Sequence, residues 1–362
     1  MDYLSSAIEV LNILNGNGYE SYIVGGYVRD SLLNIKTNDI DLTGSAKPSD
    51  VAKLFKTIPT GIKYGTVLIR YNGYSFEHTT FRFDGSYSDS RHPSDVKYSE
   101  SILDDVKRRD FTINALLMDS NKKIIDYTNG LDDLNKKLIR TIGDPNKRFN
   151  EDALRMLRAL SFVSKLGFSI EGSTYKSIIK NKDLLKNISV ERIRVEFDKI
   201  SNGAFKKDAW KLFYELKLNH IFPNMEYIDD FDRTFMDIII HNMIKTGEIS
   251  DFWQFSKSTT RELKKAIDLI KNGLTNYNMF ISGYNSSMYA IHYLKESISL
   301  WDDLKIHSLK ELNISGNDLS FVKKTNRSKC LNYLAEKVLN NILDNDFNIL
   351  LEEAKKWNIS QL

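Results

Sequence analysis

The stretch Ser21-Tyr22-Ile23-Val24-Gly25-Gly26-Tyr27-Val28-Arg29-Asp30, followed closely by Asp39-Ile40-Asp41-Leu42-Thr43, decides how the chain is read. Ser21 to Val24 has the composition of a short strand, and Val28 to Leu33 that of the first turns of a helix. Glycines at such a strand-to-helix turn let the backbone approach a phosphate, and the helix start offers unpaired N–H groups to an anion. Arg29 adds a charged fork for the same phosphates. Asp39 to Thr43 alternates polar and apolar residues as a half-exposed strand does. On a strand, Asp39 and Asp41 point to one face. Two carboxylates so placed suit Mg²⁺, which takes carboxylate, water and substrate-phosphate oxygens. Taken alone, Asp-x-Asp is an ordinary solvated edge and Gly-Gly an ordinary turn. In this order and this close together they predict a triphosphate–metal site. Neither the Walker loop nor the dinucleotide fingerprint is present.

Outward from this stretch the first ~145 residues read as mixed α and β. Tyr3 to Leu14 is an amphipathic helix ended by Gly16-Asn17-Gly18. Thr66 to Arg70 and Tyr74 to Phe81 are β-like and meet near Asn72-Gly73, a strong hairpin signal. Arg82 to Lys97 is polar, with Gly85 and Pro93, and reads as a mobile loop. Phe111 to Met118 and Lys123 to Tyr127 add further β or helical structure. Beyond Pro145 the character changes. Of the five prolines only Pro223 lies there, and helical periodicity recurs, as in Glu336 to Leu351. The expected fold class is an α+β head with a small mixed sheet, then an all-α neck, body and tail. The expected divisions are residues 1–145, 146–210 and 211–362.

Composition sets outer bounds. A chain of 362 residues with 41% hydrophobic and 27% charged residues fits a folded protein of two or three domains. No apolar run reaches the roughly 20 residues of a membrane span, the longest candidate, Phe235 to Ile244, being broken by Asp237 and His241. Met1-Asp2-Tyr3 lacks the features of a signal peptide. The single cysteine, Cys330, excludes intrachain disulfides and a cysteine-based zinc site, and a reducing cytoplasm is expected. Net charge is only +3, but basic residues outnumber acidic ones in 151–211, a pattern compatible with a polyanionic partner or with a solvated helical surface. The six histidines form no metal pattern.

Gly25 to Leu33 with Asp39 to Thr43 resembles the first motif of the class II, bacterial-type CCA-adding tRNA nucleotidyltransferases and their poly(A) polymerase relatives, members of the DNA polymerase β nucleotidyltransferase superfamily. Lys107-Arg108-Arg109-Asp110-Phe111-Thr112-Ile113-Asn114-Ala115-Leu116 resembles their second motif. Gly130-Leu131-Asp132-Asp133-Leu134 through Arg140-Thr141-Ile142-Gly143-Asp144-Pro145 resembles the third. Arg148-Phe149 with Glu151-Asp152-Ala153-Leu154-Arg155-Met156-Leu157-Arg158-Ala159 resembles the fourth, and Glu191-Arg192-Ile193-Arg194-Val195-Glu196 the fifth. The match runs from about residue 20 to 200, and the helical body and tail beyond it are implied by the family.

The resemblance implies a role for each position. Asp39 and Asp41 are the catalytic carboxylates that hold Mg²⁺, with Glu77 as a third. Gly25, Gly26, Arg29, Arg109, Asp110 and Arg158 bind the nucleotide. Asp152 and Arg155 choose the base. Cytosine and adenine both present an exocyclic amine beside a ring-nitrogen acceptor, whereas uracil and guanine present a carbonyl beside an N–H. A carboxylate accepts and a guanidinium donates, so one Asp beside one Arg can take C and A and reject U and G. From spacing alone, Asp152, Arg155 and Arg158 lie along one face of a helix starting near Glu151, and Asp152 could simply pair with Arg155. Glu191, Arg192, Arg194 and Glu196 read as braces of a helix turn. Where the family often carries a further arginine, this chain has Ser161; either that contact is lost or Lys165 supplies it one turn on.

The implied partners are CTP, ATP and the tRNA 3′ end, held by its acceptor stem and adjoining arm, with no membrane. The loop Arg82 to Tyr98, with Asp84-Gly85-Ser86-Tyr87 and Arg91-His92-Pro93, has full family length, which implies complete CCA or A addition. The rivals are a CC-only or A-only enzyme, a bacterial poly(A) polymerase, and a non-catalytic RNA-binding relative. The poly(A) polymerases usually carry long basic extensions missing here. The RNA-binding relative should have lost Asp39 or Asp41.

Overall fold

The computed structural model describes residues 2–84 and 96–360. Helix α1 (Tyr3–Gly16) is capped by the Asp2 carboxylate, which accepts from the Ser5 N–H at 2.7 Å, and it buries Ala7, Val10, Leu11 and Leu14 at helical spacing. Strand β1 (Ser21–Val24) then runs through Gly25 into α2 (Gly26–Leu32). Strand β2 (Asp41–Gly44) follows, then α3 (Pro48–Leu54) and the strands β3 (Lys56–Gly61), β4 (Thr66–Tyr71) and β5 (Tyr74–Thr80). Asn72 and Gly73 both take positive φ between β4 and β5, as a two-residue hairpin turn requires.

Short strands β6 (Arg82–Asp84) and β7 (Val96–Tyr98) pair antiparallel. The stretch expected as one loop therefore has ordered ends, because its flanks satisfy each other's backbone; the loop between them, residues 85–95, lies outside the described residues. Next come α4 (Ile102–Lys107), β8 (Leu117–Met118), β9 (Ile124–Ile125), α5 (Gly130–Asn135) and β10 (Leu138–Ile139). A seven-stranded mixed sheet has the order β3-β4-β5-β2-β1-β8-β9. Strand β2 lies antiparallel to β1 and parallel to β5, so it is central, and Leu42, Thr43 and Gly44 are all buried. The expectation of a half-exposed strand is corrected: the face that carries Thr43 is covered by α4, whose buried Asp105 stands 3.3 Å from the Thr43 hydroxyl. Gly44 is required there, since a Cβ would come within 2.8 Å of the Glu20 carbonyl oxygen and 2.9 Å of His78 Nε2.

Helices α6 (Pro145–Glu151) and α7 (Leu154–Leu166) follow, then β11 (Ser169–Ile170), which pairs with β10, and α8 (Gly172–Asn181), α9 (Val190–Asn202) and α10 (Lys206–Glu215). Helix α7 packs against α9 and α10. Phe197 of α9 anchors that packing with ring centroids 5.6 Å from both Trp210 and Phe213 and 5.2 Å from Phe222.

The chain divides into two compact units, Met1–Phe222 and Pro223–Leu362. The second holds α11 (Phe235–Thr246), α12 (Lys257–Asn272), α13 (Asn276–Ser282), α14 (Tyr284–Leu294), α15 (Ser299–Asp302), α16 (Arg327–Leu339) and α17 (Phe347–Ser360). Its core gathers Leu269, Met279, Ile291, Trp301, Leu319, Leu334, Val338 and Leu350. The helical periodicity of Glu336 to Leu351 does not make one helix. Asn341 takes a positive φ, and the chain turns between α16 and α17 so that both apolar faces reach this core. Among the described residues no helix is long and apolar enough to cross a membrane.

Candidate active site

Gly25 has φ 76° and ψ −128°, a backbone state closed to residues with a Cβ, and its N–H donates to the Leu116 carbonyl at 3.2 Å. That turn opens one wall of a cleft of about 520 Å³. The cleft is lined by Gly25, Gly26, Arg29, Asp30, Asp39, Asp41, Arg108, Arg109, Asp110, Asn114, Asp152, Arg155, Arg158, Phe162, Lys165 and Arg192, among others. All the residues singled out for the nucleotide and the metal are there except Glu77.

Asp41 opens β2, while Asp39 precedes the strand and is exposed, with buried Ile40 between them. Asp39 therefore does not sit on the strand as expected, yet the two carboxylates line one cleft. Glu77 lies opposite Asp41 in the β2–β5 register and is exposed. Burial, with the charges of Asp39 and Glu77, pushes the Asp41 carboxyl up to about 6, opposed by Arg109. Crowded carboxylates of this kind are relieved by a cation, and an all-oxygen donor set suits a hard divalent one. Among the described residues no three metal-ligating side chains converge on one point. Asp39 and Asp41 are the carboxylates of the sequence-predicted metal set that line the cleft.

Arg29 is almost fully buried. Its Nε and one terminal nitrogen donate to Asp30 Oδ1 at 2.8 and 2.7 Å, the other terminal nitrogen donates to Asn114 Oδ1, and the guanidinium stands 5.1 Å from the Phe162 ring centre. Asn114 Nδ2 donates to Asp110 Oδ1 at 3.1 Å. Arg158 Nε donates to Asp110 Oδ2 at 2.8 Å. Burial alone would raise the Asp110 carboxyl, but the Arg158 charge and the Asn114 hydrogen bond outweigh it and hold it at about 2. Arg108 and Arg109 both rest on Asp105.

The wall that carries Asp152 and Arg155 differs from expectation. Helices α6 and α7 are separate, and Asp152 between them has an extended backbone (φ −147°, ψ 102°). Its Oδ1 accepts from the Leu154 N–H at 3.1 Å and its Oδ2 from Arg192 at 2.7 Å. Asp152 therefore leaves the helix face that spacing assigned it and pairs with Arg192 rather than Arg155. Arg155 is held by Glu151 at 2.8 Å and by the Arg108 carbonyl at 3.0 Å. Arg192, read as a brace, both pairs with Asp152 and lines the cleft. Ser161 turns away, donating to Glu196 Oε2 at 2.6 Å, while Lys165 lines the cleft and pairs with Asp30 Oδ2 at 2.8 Å. Arg192 and Asn114 carried no local signal of these contacts, which join segments far apart in the chain.

The arrangement can hold a polyphosphate on arginines and glycine backbone, a divalent cation on two aspartates, and a base against Asp152 and Arg155. Comparison with known proteins agrees with the fold that presents it. A family described as the poly(A) polymerase head domain matches residues 21–140, and one described as a probable RNA and SrmB-binding site of polymerase A matches residues 167–228. The CCA-adding enzyme of Lactobacillus helveticus is 41% identical over 304 residues, covering 78% of this chain and 76% of the relative. That of Anoxybacillus flavithermus is 35% identical, covering 97% and 96%. Among solved structures, the Bacillus stearothermophilus CCA-adding enzyme in complex with CTP superposes with a TM-score of 0.84 at 28% identity, covering 100% of this chain and 99% of that one. The Thermotoga maritima CCA-adding enzyme complexed with tRNA shares the fold at a TM-score of 0.68 and 20% identity, covering 97% and 94%. The chain belongs to the class II CCA-adding enzymes, nucleotidyltransferases built on a poly(A) polymerase head.

Proposed function

We propose that the protein adds C, C and A to the 3′ end of tRNA from CTP and ATP, using its own side chains in place of a nucleic-acid template. The carrying observation is that the Gly25–Gly26 turn, Asp39 and Asp41, and Asp152 and Arg155 all line one cleft. In each step the tRNA 3′-hydroxyl oxygen bonds the α-phosphorus, the bond to the β-phosphate oxygen breaks, the hydroxyl proton is lost, and pyrophosphate leaves. Family membership implies a divalent metal, and Mg²⁺ on Asp39 and Asp41 would suit their oxygens, with Glu77, opposite Asp41 in the β2–β5 register, as a further ligand. When bound, such ions acidify the attacking hydroxyl and stabilise the leaving pyrophosphate.

The chain's own residues do the rest. The Gly25–Gly26 backbone, Arg29, Arg109 and Arg158 hold the triphosphate in line. Asp110, kept ionised near the sugar and phosphates, orients Arg158. Asp152 accepts from the amine of C or A, and Arg155 donates to the ring nitrogen beside it. U and G would leave both groups facing like partners. Residues 1–145 would carry the chemistry, 146–210 the base selection, and 211–362 the grip on tRNA. The last role is supported by α12, where Lys257, Arg261, Lys264 and Lys265 outnumber Asp251 and Asp268 in the lining of one cavity. A single, buried cysteine fits a cytoplasmic protein.

The test is incubation with a tRNA lacking its 3′ end, Mg²⁺, CTP and ATP, read at single-nucleotide resolution. Three additions, with CTP required first, are expected. A stop after two Cs, extension only of ends already carrying CC, a long A ladder, or no extension would each overturn CCA addition in favour of a split-pathway enzyme, a poly(A) polymerase or an RNA binder.

A further inference from the structure

Asp105 sits in α4, just before the Arg108-Arg109-Asp110 run, and is fully buried. No nucleotide-facing role falls to it, since it does not line the cleft. Its Oδ1 accepts from Arg108 at 2.8 Å through Nε and at 2.7 Å through a terminal nitrogen. Its Oδ2 accepts from Arg109 at 2.8 and 3.2 Å. The same Oδ2 stands 3.3 Å from the Thr43 hydroxyl, which also donates to the Thr79 carbonyl at 3.1 Å. Thr43 follows Asp41 by two residues on β2, so the carboxylate ties two cleft-lining arginines to the strand that begins at the metal-facing aspartate.

The charge balance suits this task. A buried carboxylate needs compensation, and here two guanidiniums supply more than one carboxylate uses. Burial pushes the Asp105 carboxyl up and the Arg109 and Arg108 charges more than undo it, so it stays ionised. The surplus positive charge is therefore carried by the arginine pair, on the cleft side.

We infer that Asp105 is a positioning residue for the triphosphate: it clamps Arg108 and Arg109 side by side and sets their distance from Asp41. This rests on the proposed triphosphate role of Arg109. Asp105 acts on the phosphate end, common to every nucleotide, and leaves base choice to Asp152 and Arg155.

The experiment compares steady-state kinetics of wild type, D105N, R109A and D105N/R109A with CTP and with ATP, beside thermal unfolding of each. In D105N the new amide turns a donor toward one guanidinium, and KM for both nucleotides should rise together by about tenfold. Discrimination against UTP should stay as in wild type, and KM for tRNA should not move. Adding D105N to R109A should change KM by less than about twofold, as coupled neighbours do. Equal D105N effects in both backgrounds, or a D105N KM like that of wild type, would overturn the clamp. An R109A variant with unaltered KM would instead remove the triphosphate assignment itself. If D105N does not fold, Thr43→Val reads the same clamp through its other donor. A rise of about twofold in both KM values is then expected, and none overturns the inference.

Discussion

In the first unit Asp105 carries two guanidiniums, Arg108 and Arg109, and Asp30 carries Arg29 on one oxygen and Lys165 on the other. In the second unit Asp229 takes a single guanidinium, that of Arg233, through both oxygens, and the same guanidinium lies 4.0 Å from the Tyr293 ring centre. Both arrangements fix a guanidinium largely withdrawn from water, although Asp229 itself is exposed where Asp105 and Asp30 are buried. They differ in what is left over. A one-to-one pair closes on itself and leaves no field for a ligand. A carboxylate shared by two cations leaves a net positive charge, and in the first unit that surplus faces the cleft that also holds Asp39 and Asp41. That surplus suits the triphosphate role proposed for the cleft, whereas the matched Arg233–Asp229 pair offers nothing to an anion.

The sharpest way to break this contrast is to remove the one part of the cleft that is negative by design. Asp41→Ala should lower incorporation of CMP and AMP roughly a thousandfold or more, while filter binding of tRNA stays near that of wild type. Loss of tRNA binding in the same variant would show that the cleft and the RNA grip are not separable. Arg155→Ala should act next most strongly, on selection more than on rate. The ratio of kcat/KM for CTP to that for UTP should fall by roughly a hundredfold, since a site that no longer donates to the ring nitrogen no longer rejects an N–H there. An unchanged ratio would move base choice to other residues of the cleft.

Arg233→Ala tests the matched pair. It should destabilise the protein by about 1 kcal/mol in urea unfolding, because solvent screens the exposed Asp229 end of the pair, and leave KM for CTP unchanged. Its pH dependence has a definite sign. The hydrogen bond and charge of Arg233 hold the Asp229 carboxyl at about 2, below its ordinary 3.8. A carboxyl depressed in the folded state contributes stability above its unfolded pKa and loses it as pH falls through the folded value. The difference between wild type and Arg233→Ala should therefore be constant above about pH 4 and shrink toward about pH 2, leaving only the packing of the guanidinium on Tyr293. A difference that grows on acidification would show that the pair is not what stabilises this corner.

Particular residues show how far the chain alone could be read. The Gly25–Gly26 turn and the Asp39–Asp41 pair are local features. Two glycines between a strand and a helix, and two carboxylates two residues apart, are each legible within a few consecutive residues. The hairpin at Asn72–Gly73 is legible for the same reason, since positive φ at both positions is a local preference. Glu151 to Lys165 is a different case. Its spacing reads as one uninterrupted helix, and the break at Asp152 is held by Arg192, 40 residues on, reaching its carboxylate from α9. Similarly, Glu336 to Leu351 keeps helical periodicity across a turn, because both flanking helices face the same core. Asp105 reads as one more acidic residue in a charged run until β2 brings Thr43 beneath it.

The chain's local patterns were thus enough for the mixed α and β character of the head, the strand-to-helix turn at Gly25–Gly26, the Asn72–Gly73 hairpin and the helical character of the remainder. All of these depend on backbone preference and side-chain chemistry within a few residues. Only the tertiary structure decided that β2 is enclosed, that Asp152 leaves its helix for Arg192, that Ser161 turns to Glu196 while Lys165 meets Asp30, and that Asp105 binds two arginines at once. The physical reason is that a buried charge takes whichever partners folding brings within about 3 Å, and those partners are not neighbours in the chain.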